Sequence, residues 1–180
     1  MTKRVFRKND LSSNDGMMTT IWGPSLWHCL HTISFNYPVE PTDADKKQYL
    51  SFIKNLKHIL PCKHCRDNFQ KTLDKRPITI NDMKNRSSYS KYIYGLHEEV
   101  NKMLHKKSGL SYTDVRERYE HFRARCNKTV SKGCTEPLTG IKSKGIIKII
   151  PTDSICDTIQ IDKACCKIRN KTRRNKKTLT

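Results

Sequence analysis

The sequence predicts an all-α protein: a four-helix bundle with a short fifth helix, followed by a mostly irregular, basic C-terminal extension. Three observations carry this reading. Apolar residues recur at three- and four-residue spacing through most of residues 21–126. The connections between those periodic segments are short and rich in Pro, Asp, Asn and Ser, which stop one helix and cap the next. After residue 126 the periodicity gives way to Lys, Thr, Ser and Gly with scattered isoleucines, a composition poorly suited to burying a core.

Residues 1–20 read as a flexible arm. The first helix opens at Trp22 with Pro24 in its first turn, sets Leu26, Leu30 and Ile33 on one face, and closes at Tyr37-Pro38. The second starts after the cap-like "PTDAD" and runs through Tyr49, Phe52, Ile53 and Leu56 to about Leu60, where Pro61 stops it. The third begins at Cys62 and carries Phe69 and Leu73 to the turn-rich "DKRPITIND". The fourth covers roughly residues 88–107, with Tyr92, Ile93, Leu96, Val100 and Leu104 at helical spacing and Gly109 beyond it as a stop. "SYTDVRERYEHFRARC" makes the fifth, capped by Ser111 or Thr113. Residues 21–126 thus form one domain and residues 127–180 an extension, in which "KGIIKII" has strand character but nothing to pair with.

A hydrophobic fraction of 35% in 180 residues supports one core of modest size. No stretch approaches the roughly 18 apolar residues of a membrane span, and the N-terminus lacks the apolar region of a signal peptide. A soluble protein made inside a cell, without membrane contact, is the expectation. The net charge of +19 divides as +2 for residues 1–20, +8 for 21–126 and +9 for 127–180. A tail such as "KIRNKTRRNKKTLT" attracts nucleic acid non-specifically through counterion release.

Eight cysteines are many for a reducing compartment, where pairs are more often redox-active or metal-bound than structural. Cys62 and Cys65, in "PCKHC", fit three chemistries: thiol exchange, half of a zinc site, or an inert pair. Cys62 follows Pro61 and opens a predicted helix, whose free amides favour a thiolate there, and Lys63, His64 and Arg66 add positive charge. A zinc site needs two more ligands from His58, His97, Cys126 or Cys134, and the last two have seven residues between them, not the usual two to four. A thioredoxin-like motif needs a preceding strand, and none is predicted. Two further pairs stand at helical spacing: Trp27 with His31, and His97 with Asn101. Each pair alone reads as a core aromatic or a satisfied polar residue at a core edge.

Together these residues resemble the Erv/ALR family of FAD-linked sulfhydryl oxidases. The family's W-x-x-x-H element matches Trp27 and His31, its C-x-x-C matches Cys62 and Cys65, and its His-Asn residues with a following Lys match His97, Asn101 and Lys106. "RERY" (Arg118, Tyr119) stands where the family has its last aromatic contact. Order and intervals agree over residues 21–126. "WGP" at the first helix and "RPITIND" between the third and fourth bring the chain nearer to the oxidases of large cytoplasmic DNA viruses, which sets host cytoplasm (the viral factory) or the virion as the expected location. Two departures are visible. Glu98 replaces the family's first Asn after the His, and the cellular disulfide that braces the third helix to the fourth is absent, its positions being Asp74 and Tyr94.

The resemblance implies an enzyme that forms disulfides in protein substrates. Cys62 is the exchange sulfur, Cys65 faces the flavin and passes electrons onward, and FAD delivers them to dioxygen with release of hydrogen peroxide. It assigns FAD binding to Trp22, Gly23, Trp27, His31, Cys65, His97, Asn101, Lys106, Arg118 and Tyr119, with Lys106 and Arg118 suited to the pyrophosphate. A shuttle disulfide would come from Cys126 with Cys134, or from Cys156, Cys165 and Cys166. A structural role for those cysteines fits the sequence equally well. Cys29 reads as a buried small residue in the first helix. The family's homodimer forms through its first two helices, where Tyr49 and Phe52 are candidates for the interface or for the core. The competing class is a zinc-stabilised, basic nucleic-acid-binding module.

Overall fold

The structure is a computed structural model in which residues 7–126 and 133–151 are described. After a single helical turn, α1 (Lys8–Leu11), come α2 (Thr19–Phe35), α3 (Asp43–Ile59), α4 (Lys63–Lys75), a 3₁₀ turn (Ile80–Met83), α5 (Arg86–Met103) and α6 (Tyr112–Glu120). α2 packs along α5, α3 along α4, and α4 also touches α5. α6 lies against both α2 and α5. This is the expected bundle of four helices with a short fifth, and among the described residues no helix is long and apolar enough to cross a membrane.

Local chemistry explains the boundaries. The Thr42 hydroxyl accepts the Asp45 N–H at 3.1 Å while the Asp45 carboxylate accepts the Thr42 N–H at 2.9 Å, a reciprocal cap that starts α3. Ser111 and Asp114 repeat it for α6, which makes Ser111, not Thr113, the cap. α2 starts at Thr19, before Trp22, so Pro24 falls in the second turn and offers no N–H to the carbonyl four residues earlier. α5 ends at Met103, short of Lys107. There the Lys106 N–H bonds the Asn101 carbonyl at 2.8 Å and the His105 N–H bonds that of Lys102 at 3.1 Å. His105, at φ 55°, takes the left-handed position that glycine usually fills in this closure, and Gly109 lies farther on.

α6 stops at Glu120, well before Cys126. Arg123 pairs with Glu120 and donates from Nη2 to the Phe35 carbonyl at 2.6 Å, which turns the chain off the helix axis and ties it to the end of α2. A short antiparallel ribbon follows, β1 (Ala124–Arg125) against β2 (Glu136–Pro137), closed by a disulfide between Cys126 and Cys134. No periodicity in the sequence marks this ribbon. Residues 138–151, "KGIIKII" included, form no regular structure. Cys156, Cys165, Cys166 and the basic end of the chain lie outside the described residues.

The core contains most of the expected positions: Leu30, Ile53, Leu56, Phe69, Leu73, Tyr92, Ile93 and Leu96 are buried. Leu104 is 50% exposed, because the helix that was to carry it inward has already ended. Tyr49 belongs to the core, edge-on to Tyr37 and Tyr89, whereas Phe52 is exposed. Buried Tyr37 donates to the Met83 carbonyl at 2.9 Å and accepts from Arg86 Nε on its own carbonyl at 2.6 Å. At the end of α4 the Arg76 carbonyl accepts the Tyr92 hydroxyl at 2.8 Å, and a Cβ on Gly95 would sit 2.5 Å from Arg76 Nη2, so only glycine lets that guanidinium cross α5. These contacts join α4 to α5 in a chain without the Asp74–Tyr94 brace.

Candidate functional site

The cysteine pair sits at the mouth of α4. Leu60 ends α3 and Pro61 prevents its continuation, so the chain turns and Cys62 becomes the N-cap of α4 in extended backbone conformation. Its Sγ accepts the Cys65 N–H at 3.4 Å. Both cysteines are free thiols here and half-buried. The Cys62 thiol titrates below its ordinary value because the Cys65 thiol hydrogen-bonds to it, helped by the backbone N–H groups of Cys65 and His64 and by the Arg66 charge. Burial pushes the Cys65 thiol up to about 12, and the Cys62 charge adds to the shift. One proton shared between them therefore stays on Cys65, leaving Cys62 as the thiolate.

The N-terminal arm reaches this mouth. The Met17 N–H donates to the Pro61 carbonyl at 2.8 Å, and the Met17 carbonyl accepts the Trp22 indole N–H at 3.0 Å. Gly16 comes so close that a Cβ on it would stand 2.9 Å from the Pro61 oxygen and 3.1 Å from Cys62 Cα. The arm, expected to be flexible throughout, is thus pinned at residues 16–17 beside Cys62.

The second half of the site is a wall of rings. Trp27 stacks on His97 with centroids 4.0 Å apart and planes 6° from parallel. His31 Nε2 and His97 Nδ1 share a hydrogen bond of 3.0 Å across α2 and α5. Buried Tyr119 of α6 lies 5.2 Å from His31, stacks on Phe35, and its hydroxyl meets His28 Nδ1 at 3.2 Å. Burial holds His31 down at about 3, with His97 and His28 adding to it, and His97 at about 4, so both imidazoles are neutral. His31 Nδ1 is buried without a hydrogen-bond partner, an orphan in an otherwise satisfied cluster. Cys65, Trp22, Leu26 and Trp27 all pack against the same buried core cluster, which links the sulfur pair to the wall.

Other expected site residues stand less close. Asn101 donates to the Glu98 carboxylate at 3.0 Å, so Glu98 orients it. Arg118 is half-buried on α6 next to Tyr119. The Lys106 side chain is exposed past the end of α5, and space around Gly23 is open. Cys29 is exposed, not buried. His28, Phe35 and Phe122 complete the ring cluster and were missed, although His28, His31 and Phe35 recur at three- and four-residue intervals on α2 and so share a face. The zinc reading loses three of its four further candidate ligands, His58 being the exception. His97 is committed to Trp27 and His31, Cys126 and Cys134 are bonded to each other, and among the described residues no group of three or more His, Cys, Asp or Glu is placed to hold a metal.

Residues 24–120 match the Erv1 / Alr family. An FAD-linked sulfhydryl oxidase of African swine fever virus is 30% identical over 115 residues, covering 64% of this chain and 91% of the relative. The mitochondrial FAD-linked sulfhydryl oxidase Erv1 of Saccharomyces cerevisiae is 31% identical over 103 residues, 57% of this chain and 50% of that protein. Among solved structures, the yeast Erv1 core superposes with a TM-score of 0.52 at 26% identity, covering 66% of this chain and 92% of that one. The FAD binding domain of Erv1 from the same yeast also gives 0.52, at 27% identity, over 57% of this chain and 94% of that one. With more than half of its length in the match and its cysteine pair and ring wall inside it, the chain belongs to the Erv1/Alr family.

Proposed function

We propose that the chain is an FAD-dependent thiol oxidase that forms disulfide bonds in protein substrates. The observation that carries this is the asymmetric cysteine pair, one thiol low at a helix mouth and one high and half-buried, packed on the same core as Trp27, which stacks in parallel on His97. A thiolate at Cys62 is the leaving group that exchange chemistry needs, and Cys65 is the sulfur turned toward the protein interior.

The residues fit a flavin nucleotide. Trp27 and His97 touch, so they act as one flat wall and not as two jaws, and the partnerless His31 Nδ1 is a polar group for a ring edge to satisfy. Asn101, held by Glu98, offers a second polar contact, and Lys106 and Arg118 supply positive charge for a pyrophosphate. When bound, FAD supplies the redox chemistry, taking the electron pair from the reduced cysteines and delivering it to dioxygen as hydrogen peroxide. The chain's own part is to hold Cys65 on the core that also carries Trp27, to keep both imidazoles neutral and to present Cys62 to the substrate.

Purified protein should carry flavin absorbance near about 450 nm and consume oxygen with added thiols. Cys65→Ser should abolish that consumption while leaving the flavin bound; unchanged turnover would refute the role of Cys65. We also place a homodimer contact on α2 and α3, where Ile21 and Phe52 leave apolar surface exposed. Sedimentation should show a dimer that Phe52→Asp converts to monomer, and a dimer that survives this change removes that face from the interface.

A further inference from the structure

Exchange at Cys62 requires a substrate sulfur within bonding distance of its Sγ, so the residues flanking that sulfur must lie over the end of α3 and the start of α4. That surface is one-signed. Between residues 54 and 71 stand Lys54, Lys57, Lys63, Arg66 and Lys71 against a single acid, Asp67. Lys57, His58, Arg66 and Lys71, with Asp67 and Gln70, line a cleft of about 370 Å³ between the two helices. Arg66 is anchored in it by donating from Nη1 to the Leu60 carbonyl at 2.6 Å, two residues before Cys62. Among the described residues none of these five cations is in a salt bridge.

A charged helix surface is ordinarily a solvated face with compensating acids. Here three of the four acids of the two helices have other partners, Asp43 with Lys46, Asp45 with Thr42 and Asp74 with Gln70, which leaves Asp67 alone against the cations of the cleft. Three of these cations, Lys57, Arg66 and Lys71, line one cleft between the two helices that Cys62 joins, and Arg66 is held on the carbonyl two residues before it, with Ile59, 66% exposed, among them in sequence.

We propose that this cleft docks an acidic segment of the substrate protein that flanks its reactive cysteine. The proposal rests on the thiol-oxidase reading and names its substrate class. Asp or Glu side chains of the segment pair with Lys57, Arg66 and Lys71 and so hold the substrate thiol at Cys62. A substrate thiolate attacks Sγ of Cys62 in the oxidised Cys62–Cys65 pair; a new sulfur–sulfur bond forms, the Cys62–Cys65 bond breaks, and the electron pair leaves on Cys65. A second substrate thiolate then attacks the substrate sulfur of the mixed disulfide and Cys62 leaves as a thiolate. The substrate has lost two electrons, now held by the cysteine pair, and two protons to solvent. Bound FAD would be the acceptor for that electron pair. Docking acts on encounter and binding, so it lowers KM and leaves kcat alone.

The test measures oxygen consumption by the full-length, FAD-loaded protein with dithiothreitol and with peptides that share one two-cysteine core flanked by Glu, Gln or Lys. The Glu peptide should show a KM about tenfold below that of the Gln peptide, the effect of two or three exposed ion pairs, and the gap should close at roughly 0.5 M salt. The double change Lys57→Glu with Lys71→Glu should reverse the preference while dithiothreitol turnover and flavin absorbance stay unchanged. Equal KM values for the three peptides, or an order that survives the charge reversal, overturn the docking site and leave the oxidase standing. Loss of dithiothreitol turnover in the wild type instead sinks the oxidase reading itself. A single-stranded oligonucleotide that binds more tightly than the Glu peptide, and is lost in the double variant, overturns the proposal in favour of nucleic acid.

Discussion

Cys62 and Cys65 share a motif yet differ in every physical respect that matters for exchange. Cys62 lies outside the first turn of α4, where backbone N–H groups and Arg66 favour its charge; Cys65, one turn in, is desolvated against the core. The reduced pair is therefore polarised, with its better leaving group, Cys62, at the helix mouth. Gly16 belongs to the same scale. Any side chain there meets the Pro61 oxygen, so Gly16→Ala should detach the arm, break the Met17–Pro61 hydrogen bond and uncover Cys62. Alkylation of Cys62 by iodoacetamide should then quicken by about two- to fivefold, the equivalent of one net hydrogen bond. An unchanged rate at Cys62, read on its own peptide by mass spectrometry in a Cys29→Ser, Cys65→Ser background, would show that the arm does not shield it.

At the scale of elements, α2, α5 and α6 build the ring wall and α4 supplies the sulfur. The early end of α5 matters to this, because the closure around His105 fixes where Lys106 leaves the helix and frees the chain to double back into α6. α6 is short, yet Val115 and Tyr119 bury it against Phe35 of α2. The ribbon after it offers the one disulfide formed among the described residues, and both of its cysteines are exposed. We propose Cys126–Cys134 as the shuttle pair on that basis. Replacing both by Ser should reduce turnover of a protein dithiol by about tenfold or more, one step of about 1.4 kcal/mol, and leave dithiothreitol turnover intact. Equal loss with both substrates, together with a lower melting temperature, would instead mark the bond as structural.

For the whole molecule, the neutral histidines couple stability to acidity. Both rings titrate lower in the folded chain, about 3 for His31 and about 4 for His97, than the ordinary value of 6.5, so below that value the unfolded chain takes up protons that the folded chain refuses. The stability they allow is present above about pH 6.5 and is lost as pH falls toward 4, at no more than about 1.4 kcal/mol per pH unit for each ring. Carboxylates held low by their caps, Asp45 and Asp114 among them, act in a separate, more acid window, below their ordinary 3.8. Urea midpoints should therefore fall between pH 6.5 and 4 in the wild type and fall less steeply in His97→Gln. Parallel slopes in the two proteins would exclude His97 as a source.

Much of this protein was legible in one dimension. Helix faces, caps and stops are local: Thr42 with Asp45, Pro61 after Leu60 and the spacing of Tyr92, Ile93 and Leu96 act within a turn or two, so the sequence alone fixed four helices, a fifth, and the mouth that holds Cys62. Errors at this level arose where a local signal had a competitor. Gly109 looked like the stop for α5, but His105 closed it sooner; Arg123 took the Phe35 carbonyl and ended α6 ahead of Cys126. The site divides along the same line. Trp27 with His31, and His97 with Asn101, share helix faces by periodicity, but the stack of Trp27 on His97, the hydrogen bond between His31 and His97, and the arrival of His28 and Tyr119 depend on α2, α5 and α6 meeting. No interval in the sequence encodes those contacts. Burial does, since only packing removes the water that would otherwise charge both imidazoles and lower the thiol of Cys65.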